Sequence, residues 1–575
     1  MKASFYEYNV AMSGLVTARA NLNVVFHNVT NAEIPGYSRQ YTLQKAATPL
    51  TLRDGRGAYG MGSEVYGIMQ MRDIYLDRKY WHQNGILGEY TTKTTQLTLL
   101  EIVFNDLPET APGKGPGLQT AFSSFFDKLQ ELSRPEGIPD GTFRTNVTSA
   151  AETLTHLVRT NAEIIMKQQR DINQEIEGMV SRINALGTQI ANLNKQIQQS
   201  EFDGSHANDL RDQRARLVDD LSQYVNVQVE ELDYSSEDIP YDKRYVVLID
   251  GHDFINNNRI HTFVCVPRDF ASNVTTTGGY PLPPDGKINT KRNEMDVPGL
   301  FDLYFADTGA EFNIYSDTLK GSLKGLVDVR DGNNSVPTEY DAETGEGLQT
   351  TNFKGIPFYM NKLNQLVRIV ARAFNEGLDR DAEPIDGVTG HLYGYNKYGF
   401  ETGQPCGELF FTKADGKEAY RIDDFGTTLL NGKTVTDYSA LNCLNFSINP
   451  ALVDDPYLLA TSSDYTKGES HNDMVLGFCT VSSYPSLFRE GKILDFIISL
   501  TGGHLAIDNM QAQKFELSYS EITVMTNYQR KSISNVDINE EMVNMMKYQQ
   551  LYQACAKLVN VIDRIYDTLI NRLGA

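Results

Sequence analysis

Three stretches of the 575-residue chain have residue types at spacings that could do chemistry. Gly55-Arg56-Gly57-Ala58-Tyr59-Gly60 matches G-x-G-x-x-G, the pattern that lets backbone approach a pyrophosphate. That use needs a buried strand before the glycines and a helix after them. Here MGSEVYGIMQM follows, which reads as strand, so the glycines predict a β turn. Gly113-Lys114-Gly115-Pro116-Gly117 lacks the G-K-[ST] ending of a phosphate loop, and Pro116 removes an amide donor, so it reads as a linker. Asp328-Val329-Arg330-Asp331-Gly332 has something of a calcium loop, but Arg330 stands where an oxygen ligand is required.

The other candidates fall away on spacing. Nine histidines are spread thinly, with no H-E-x-x-H, and His27 lies beside an apolar helix face as a packing or surface residue. The five cysteines form no C-x-x-C pair, so neither a disulfide framework nor a zinc site is indicated. There is no G-x-S-x-G and no basis for choosing a nucleophile. The reading is therefore no catalytic residue, no cofactor, no metal and no enzyme.

Composition narrows the partners. A net charge of -22 disfavours nucleic acid and anionic membrane, because both repel an acidic surface. No apolar run approaches the roughly 18–20 residues of a membrane span, so no membrane insertion is expected. The start, MKASFYEYNV, has Glu7 where a cleaved signal needs an apolar stretch. At roughly 100–200 residues per domain the length predicts several domains. Charge is unevenly placed: residues 1–50 carry +2 and residues 531–575 carry 0, which leaves -24 for the middle.

The elements expected to position any function lie at the ends. Tyr8, Ala11, Leu15, Ala18, Leu22, Val25 and Val29 are spaced 3, 4, 3, 4, 3 and 4, a heptad stripe on one helix. It stops before Asn31-Ala32-Glu33-Ile34-Pro35-Gly36, where proline and glycine favour a turn. Near the carboxyl end, Leu551, Cys555, Leu558, Ile562, Ile565 and Leu569 form a similar seam. Tyr552, Val559 and Tyr566 make a second stripe beside it that wants a further partner. Asp537 or Asn539 would cap that helix.

Between the ends, Ile172, Ile176, Met179, Ile183, Leu186, Ile190, Leu193 and Ile197 predict a long helix, and Leu210, Leu217 and Leu221 one returning beside it. YVVLIDG, HTFVCVP, FDLYFAD, LYGYNKYGF and GELFFT read as strands. The expected fold is α+β and multidomain. Residues 1–40 with 531–575 form a terminal coiled-coil-like stalk. Residues 41–234 with 316–383 and 470–530 form a helical bundle. Residues 235–315 and 384–469 form inserted β-rich domains.

Several segments carry a resemblance. Ser13-Gly14-Leu15, Ala18-Arg19-Ala20-Asn21-Leu22, Asn28-Val29-Thr30-Asn31-Ala32 and Pro35-Gly36-Tyr37-Ser38-Arg39-Gln40 resemble the amino-terminal signature of bacterial flagellar axial proteins. Gly-Tyr-Ser-Arg-Gln is similar to the hook-associated FlgK family within them. Phe122–Pro135, Asn208–Arg214, Leu319–Asp331 and Ser534–Glu541 with Lys547–Ala554 extend the likeness along the chain. Glu33-Ile34, Asn535 and Cys555 depart from the family pattern without breaking the helices.

The resemblance implies a structural junction between hook and filament. Its implied partners are other copies of itself in a ring-like or helical layer, hook protein, a second junction protein, and an export chaperone near the carboxyl end. It implies a place outside the cell on the flagellum, reached by type III export without signal cleavage. Subunit packing is then expected at Leu15, Ala18, Leu22, Val25 and Val29, and at Tyr548, Tyr552, Leu558, Val559, Ile562, Ile565 and Leu569. The signature loop is Asn31 with Pro35–Gln40. Hook or rod protein is the alternative within the class, with a surface adhesin or an enzyme in the β inserts outside it.

Overall fold

A computed structural model describes residues 6–51, 57–104, 117–134, 136–202, 204–234, 243–268, 295–332, 339–340, 347–348, 354–417, 420–430, 433–468 and 470–568. Most of Gly113–Gly117, part of the Gly55–Gly60 turn, and Leu569 lie outside them. The architecture is α+β, with long helices and several small antiparallel sheets. Among the described residues no helix is long and apolar enough to cross a membrane.

Helix α1 (Tyr6–Asn31) leads into a hairpin of strands Gln40–Ala46 and Ser63–Gln70. MGSEVYGIMQM, read as strand, contains the strand Ser63–Gln70. Helix α2 (Ile74–Phe104), α3 (Leu118–Leu132), α4 (Gly141–Ser200) and α5 (Asn208–Tyr224) follow. The Asp140 side chain caps α4 by accepting from the Thr142 amide at 2.8 Å. At about 1.5 Å per residue, α4 is on the order of 90 Å long. Its heptad face is buried, and α5 returns along it as the hairpin expected from sequence.

A four-stranded antiparallel sheet (Val227–Asp233, Lys243–Ile249, His252–Asn256, Arg259–Ile260) and a three-stranded one (Phe263–Pro267, Phe301–Phe305, Glu311–Phe312) follow, the first strand lying before the expected insert boundary at 235. Phe254, stacked on Phe263 at 5.3 Å, presses on Gly187 of α4. A Cβ on Gly187 would lie 2.7 Å from that ring.

Helix α6 (Ser322–Asp331) is buried along its whole length. Gly321 has φ +109°, and a Cβ there would lie 2.3 Å from the Tyr224 carbonyl oxygen. A Cβ on Gly325 would lie 2.6 Å from the Glu89 carbonyl oxygen of α2. The two glycines therefore let α6 sit directly on neighbouring backbone. The calcium-like stretch ends in an ion cluster. The Arg330 guanidinium donates to Asn173 at 2.8 Å and to Asp331 at 2.6 Å. Arg268 donates to Asp331 at 2.7 Å and to Asp302 at 2.9 Å. Burial alone would raise the Asp331 pKa, but Arg330 and Arg268 hold it down to about 2.

Helix α7 (Ile356–Glu376) packs with the segment after it around Phe125, Phe374, Phe410, Phe411 and Phe478. Here one sequence expectation is corrected. LYGYNKYGF is not a strand but a turn followed by the short helix α8 (Lys397–Thr402). Asn396 caps α8 by accepting from Gly399, and Gly403 closes it with φ +67°. These capping signals outweigh the β propensity of the tyrosines. GELFFT contributes only the strand that opens at Phe411. Short helices α9 (Pro450–Asp454), α10 (Asp473–Val481) and α11 (Ile493–Ile498) follow.

A π-helical turn at Ser499–Leu505, containing Gly502 and Gly503, joins α11 to α12 (Ala506–Ser534). The helical run from Ile493 to Ser534 is thus interrupted at that turn. Helix α12 runs antiparallel to α2: Asn509 donates to Glu101 at 2.8 Å, the Tyr90 and Phe515 rings lie 4.9 Å apart, and Thr526 donates to Gln83 at 2.6 Å. Helix α13 (Ile538–Asp567) completes the chain's described elements.

Removing Arg330 would leave Asp331 buried with one cation fewer. Arg330→Ala is expected to cost about 3–5 kcal/mol of stability, measured by denaturant unfolding. A loss under 1 kcal/mol would show that the cluster does not hold α6.

Candidate functional site: the paired terminal helices

The chain's two ends meet as an antiparallel pair, α1 against α13. Small residues make the approach close. A Cβ on Gly14 would lie 2.9 Å from the Cys555 Sγ. Ala11, Ala18, Leu22 and Val25 are buried along the same face of α1, while Leu15 and Val29 are half-buried at its margins. On α13 the facing residues are Tyr548, Tyr552, Cys555, Val559, Ile562 and Tyr566, spaced 4, 3, 4, 3 and 4. Cys555 and Ile562 are buried, and the other four are half-buried.

This redistributes the two stripes read from the sequence: Cys555 and Ile562 of the first are buried here, beside Tyr552, Val559 and Tyr566 of the second. Tyr552 and Val559, expected to await a further partner, face α1. Leu551, Leu558 and Ile565 are 44%, 55% and 48% exposed. With exposed Ala554 and Val561 they form a complete apolar stripe, spaced 3, 4, 3 and 4, on the flank of α13. The two stripes lie on adjacent faces of one helix, and the small residues of α1 leave room for the bulky tyrosine face.

The signature loop fastens this pair to the rest of the molecule. The Asn28 side chain sits at its centre, accepting from the Gln40 amide at 2.9 Å and the Tyr37 hydroxyl at 2.8 Å. It donates to the Gln40 carbonyl at 2.9 Å and to Glu541 at 3.2 Å. Arg39 donates to Glu541 at 2.8 Å and to Glu540 at 2.7 Å, and its amide donates to the Ser534 carbonyl. Asp537 is the cap, accepting from the amides of Asn539 and Glu540. So the acidic first turn of α13 binds the loop as well as the helix dipole.

The loop also grips α5. The Ser38 amide and hydroxyl donate to Asp212 at 2.8 and 2.7 Å, and Gln40 donates to Asp209 at 2.7 Å. Gly36, with φ +85°, crosses the Arg216 side chain. Asn31 donates to the His27 carbonyl, and Pro35 lies exposed at the turn. Behind the loop, Arg530 of α12 bridges Asp77 at 2.7 Å and Asp219 at 3.0 Å.

Electrostatics follow from this packing. Burial costs Arg39 some protonation, but its bonds to Glu540 and Glu541 raise its pKa overall. Burial, then Asp209, Asp212 and Glu541, push the Tyr37 phenol well up, so it stays a donor. Burial raises the Asp212 carboxyl despite its bonds to Ser38 and Arg72. Among the described residues no group of three or more His, Cys, Asp or Glu side chains is placed to hold a metal ion. Sequence reasoning missed Asp212 as the partner of Ser38. The residue lay within a quoted segment, but no local pattern links positions 174 residues apart.

Glu541→Gln is expected to loosen the fastening by about 1–3 kcal/mol, since Arg39 and Asn28 lose a charged acceptor. Amide exchange in α1 and α13 should quicken. The same change in an Arg39→Gln background should cost less, and equal costs would mean the pair does not couple.

Comparison with known proteins accords with this architecture. The family model described as the flagellar hook-associated protein FlgK helical domain matches residues 107–391. A second, the flagellar basal body rod FlgEFG protein C-terminal model, matches residues 521–573. Flagellar hook-associated protein 1 of Bacillus subtilis (strain 168) is 25% identical over 581 residues, covering 100% of this chain and 99% of that protein. Its counterpart in Salmonella typhimurium is 26% identical, covering 98% and 99%. The solved structure of the flagellar hook junction protein FlgK from Burkholderia pseudomallei aligns with a TM-score of 0.53 at 12% identity, over 80% of this chain and 100% of that one, a likeness of fold. The full-length relatives, the two family models and the shared fold agree: the chain belongs to the FlgK family of flagellar hook-associated proteins.

Proposed function

We propose that this chain is a structural subunit of the bacterial flagellum that joins hook to filament, and that it works by packing against its neighbours through its terminal helices. The family is structural and not enzymatic, and its curated members are hook-associated proteins. The observation that carries the packing role is the apolar stripe on α13. Leu551, Leu558, Val561 and Ile565 stay exposed although α1 already covers the neighbouring face. Contiguous apolar surface of this kind marks an interaction site. Burying each large side chain contributes about 1.5–3 kcal/mol before ordering costs.

A head-to-tail contact that does not close produces a helical layer of subunits. The near-neutral ends suit such close approach, and the acidic middle suits the solvent. Ala18, Leu22, Val25, Cys555 and Ile562 then serve assembly by holding the pair together. Leu558 and Ile565 meet the neighbour. Hook protein and a second junction protein are the partners above and below. A chaperone at the carboxyl end and type III export without signal cleavage complete the route. Hook or rod protein remains the second reading within the class, and Gly36-Tyr37-Ser38-Arg39-Gln40 favours the hook-associated one.

Deleting the gene should leave hooks in place while flagellin is shed into the medium, and normal filaments after deletion would end this reading. Leu551→Asp with Ile565→Asp should give the same shedding phenotype with an unchanged circular dichroism spectrum. Leu22→Asp should differ, because it breaks the pair inside one chain and frees both helices to rapid amide exchange.

A further inference from the structure

We propose that the chain closes a covalent cross-link inside its helical core: the Lys93 side chain of α2 condenses with the Asp328 side chain of α6 to form an amide, with Glu89 relaying a proton and one water molecule released.

The side chains there form more than one ion pair. Lys93 Nζ lies 2.6 Å from Asp328 Oδ2 and 2.6 Å from Glu89 Oε1. Lys324 Nζ stands 3.0 Å from the other Asp328 oxygen, Oδ1, and Lys320 Nζ stands 3.7 Å from the other Glu89 oxygen. A nucleophile, an acceptor carbon, a proton carrier and a cation for the carbonyl oxygen are thus gathered at one point. No more than 6% of the Glu89, Lys93, Lys324 or Asp328 side chain is exposed. Backbone contact imposes the arrangement, because Gly325, beside Lys324, lets α6 sit on the Glu89 carbonyl. Lys93 is the nucleophile because it touches both carboxylates, whereas Lys324 is paired with Asp328 four residues on in its own helix.

The steps balance. Glu89 accepts a proton from the Lys93 ammonium, which frees the amine. The amine attacks Asp328 Cγ and forms the C–N bond. Lys324 meets the negative charge that gathers on Oδ1. Oδ2 takes two protons that began on the lysine nitrogen, one of them carried by Glu89, and leaves as water when its bond to Cγ breaks. An ammonium and a carboxylate become an amide, Glu89 ends as it began, and no oxidant or reductant is needed. A cavity of about 480 Å³, bounded by Tyr90, Lys320, Ala512 and Phe515, adjoins Lys93 and Asp328 and gives the water an exit.

Held reactants replace a chance encounter, an advantage equivalent to about 10⁵–10⁸ M in well-oriented cases. The rate is nonetheless slow. Burial alone would lower the Lys93 pKa, but Asp328 and then Glu89 hold it above the ordinary lysine value, so the free amine is scarce. The bond therefore matures after folding. It ties α2, which pairs with α12, to the buried helix α6, whatever the subunit then packs against.

The test is the intact mass of the full-length chain, kept folded for several days and then denatured. The mass should fall below the sequence mass by one water, and trypsin should release a branched peptide joining Lys93 to Asp328. Glu89→Gln and Lys93→Arg, folded by circular dichroism, should keep their full sequence masses. Lys324→Met should slow the water loss roughly hundredfold. A folded wild-type chain that stays at full mass overturns the cross-link. So does a water loss confined to an unbranched peptide, as a succinimide at an Asp-Gly pair would give. Cross-linking at the wild-type rate in Glu89→Gln overturns the relay.

Discussion

Two helices packed side by side can bury only about one face each. That limit governs the terminal pair. Gly14 accepts Cys555 at a distance that no side chain would allow, and Ala11 and Ala18 extend the close approach. The contact is narrow for that reason. The bulk of the apolar surface on α13 is left outside it, as Leu551, Leu558, Val561 and Ile565. The unit is complete as a pair and incomplete as a core.

A narrow seam needs a second fastening, and polar groups supply it. Asn28 satisfies both its oxygen and its nitrogen among Tyr37, Gln40 and Glu541, so the loop leaves α1 in one direction. Ser38 and Gln40 then bind α5, and Arg39 binds the start of α13. Three elements distant in sequence share one loop. The bundle behind it is tied in turn by Arg530 to α2 and α5. Movement of the pair relative to the bundle would have to break several charge-assisted bonds at once.

Most of the helices were legible, because their apolar spacing is long and regular. The α4–α5 hairpin and the capped start of α13 follow from local pattern and capping chemistry. LYGYNKYGF was misread because aromatic residues favour strands, while the decisive groups were Asn396 and Gly403 at the ends of a one-and-a-half-turn helix. The use of the calcium-like stretch was hidden: Arg330 and Asp331 meet Arg268 and Asn173 from other elements. The Asp212–Ser38 bond was hidden in the same way.

The sequence by itself determined that both ends form striped helices of nearly neutral charge, and that α13 carries two apolar stripes. It could not determine which residues of each lie inside: Cys555 and Ile562 come from the first, Tyr552 and Val559 from the second. Heptad spacing is the same for both, and hydropathy alone favours the leucine and isoleucine side chains over tyrosine and cysteine. Only the tertiary structure decided it, through the shape of α1. A face of glycine and alanine takes broad tyrosine rings at its margins and a cysteine at its centre. The more apolar stripe is thereby left exposed.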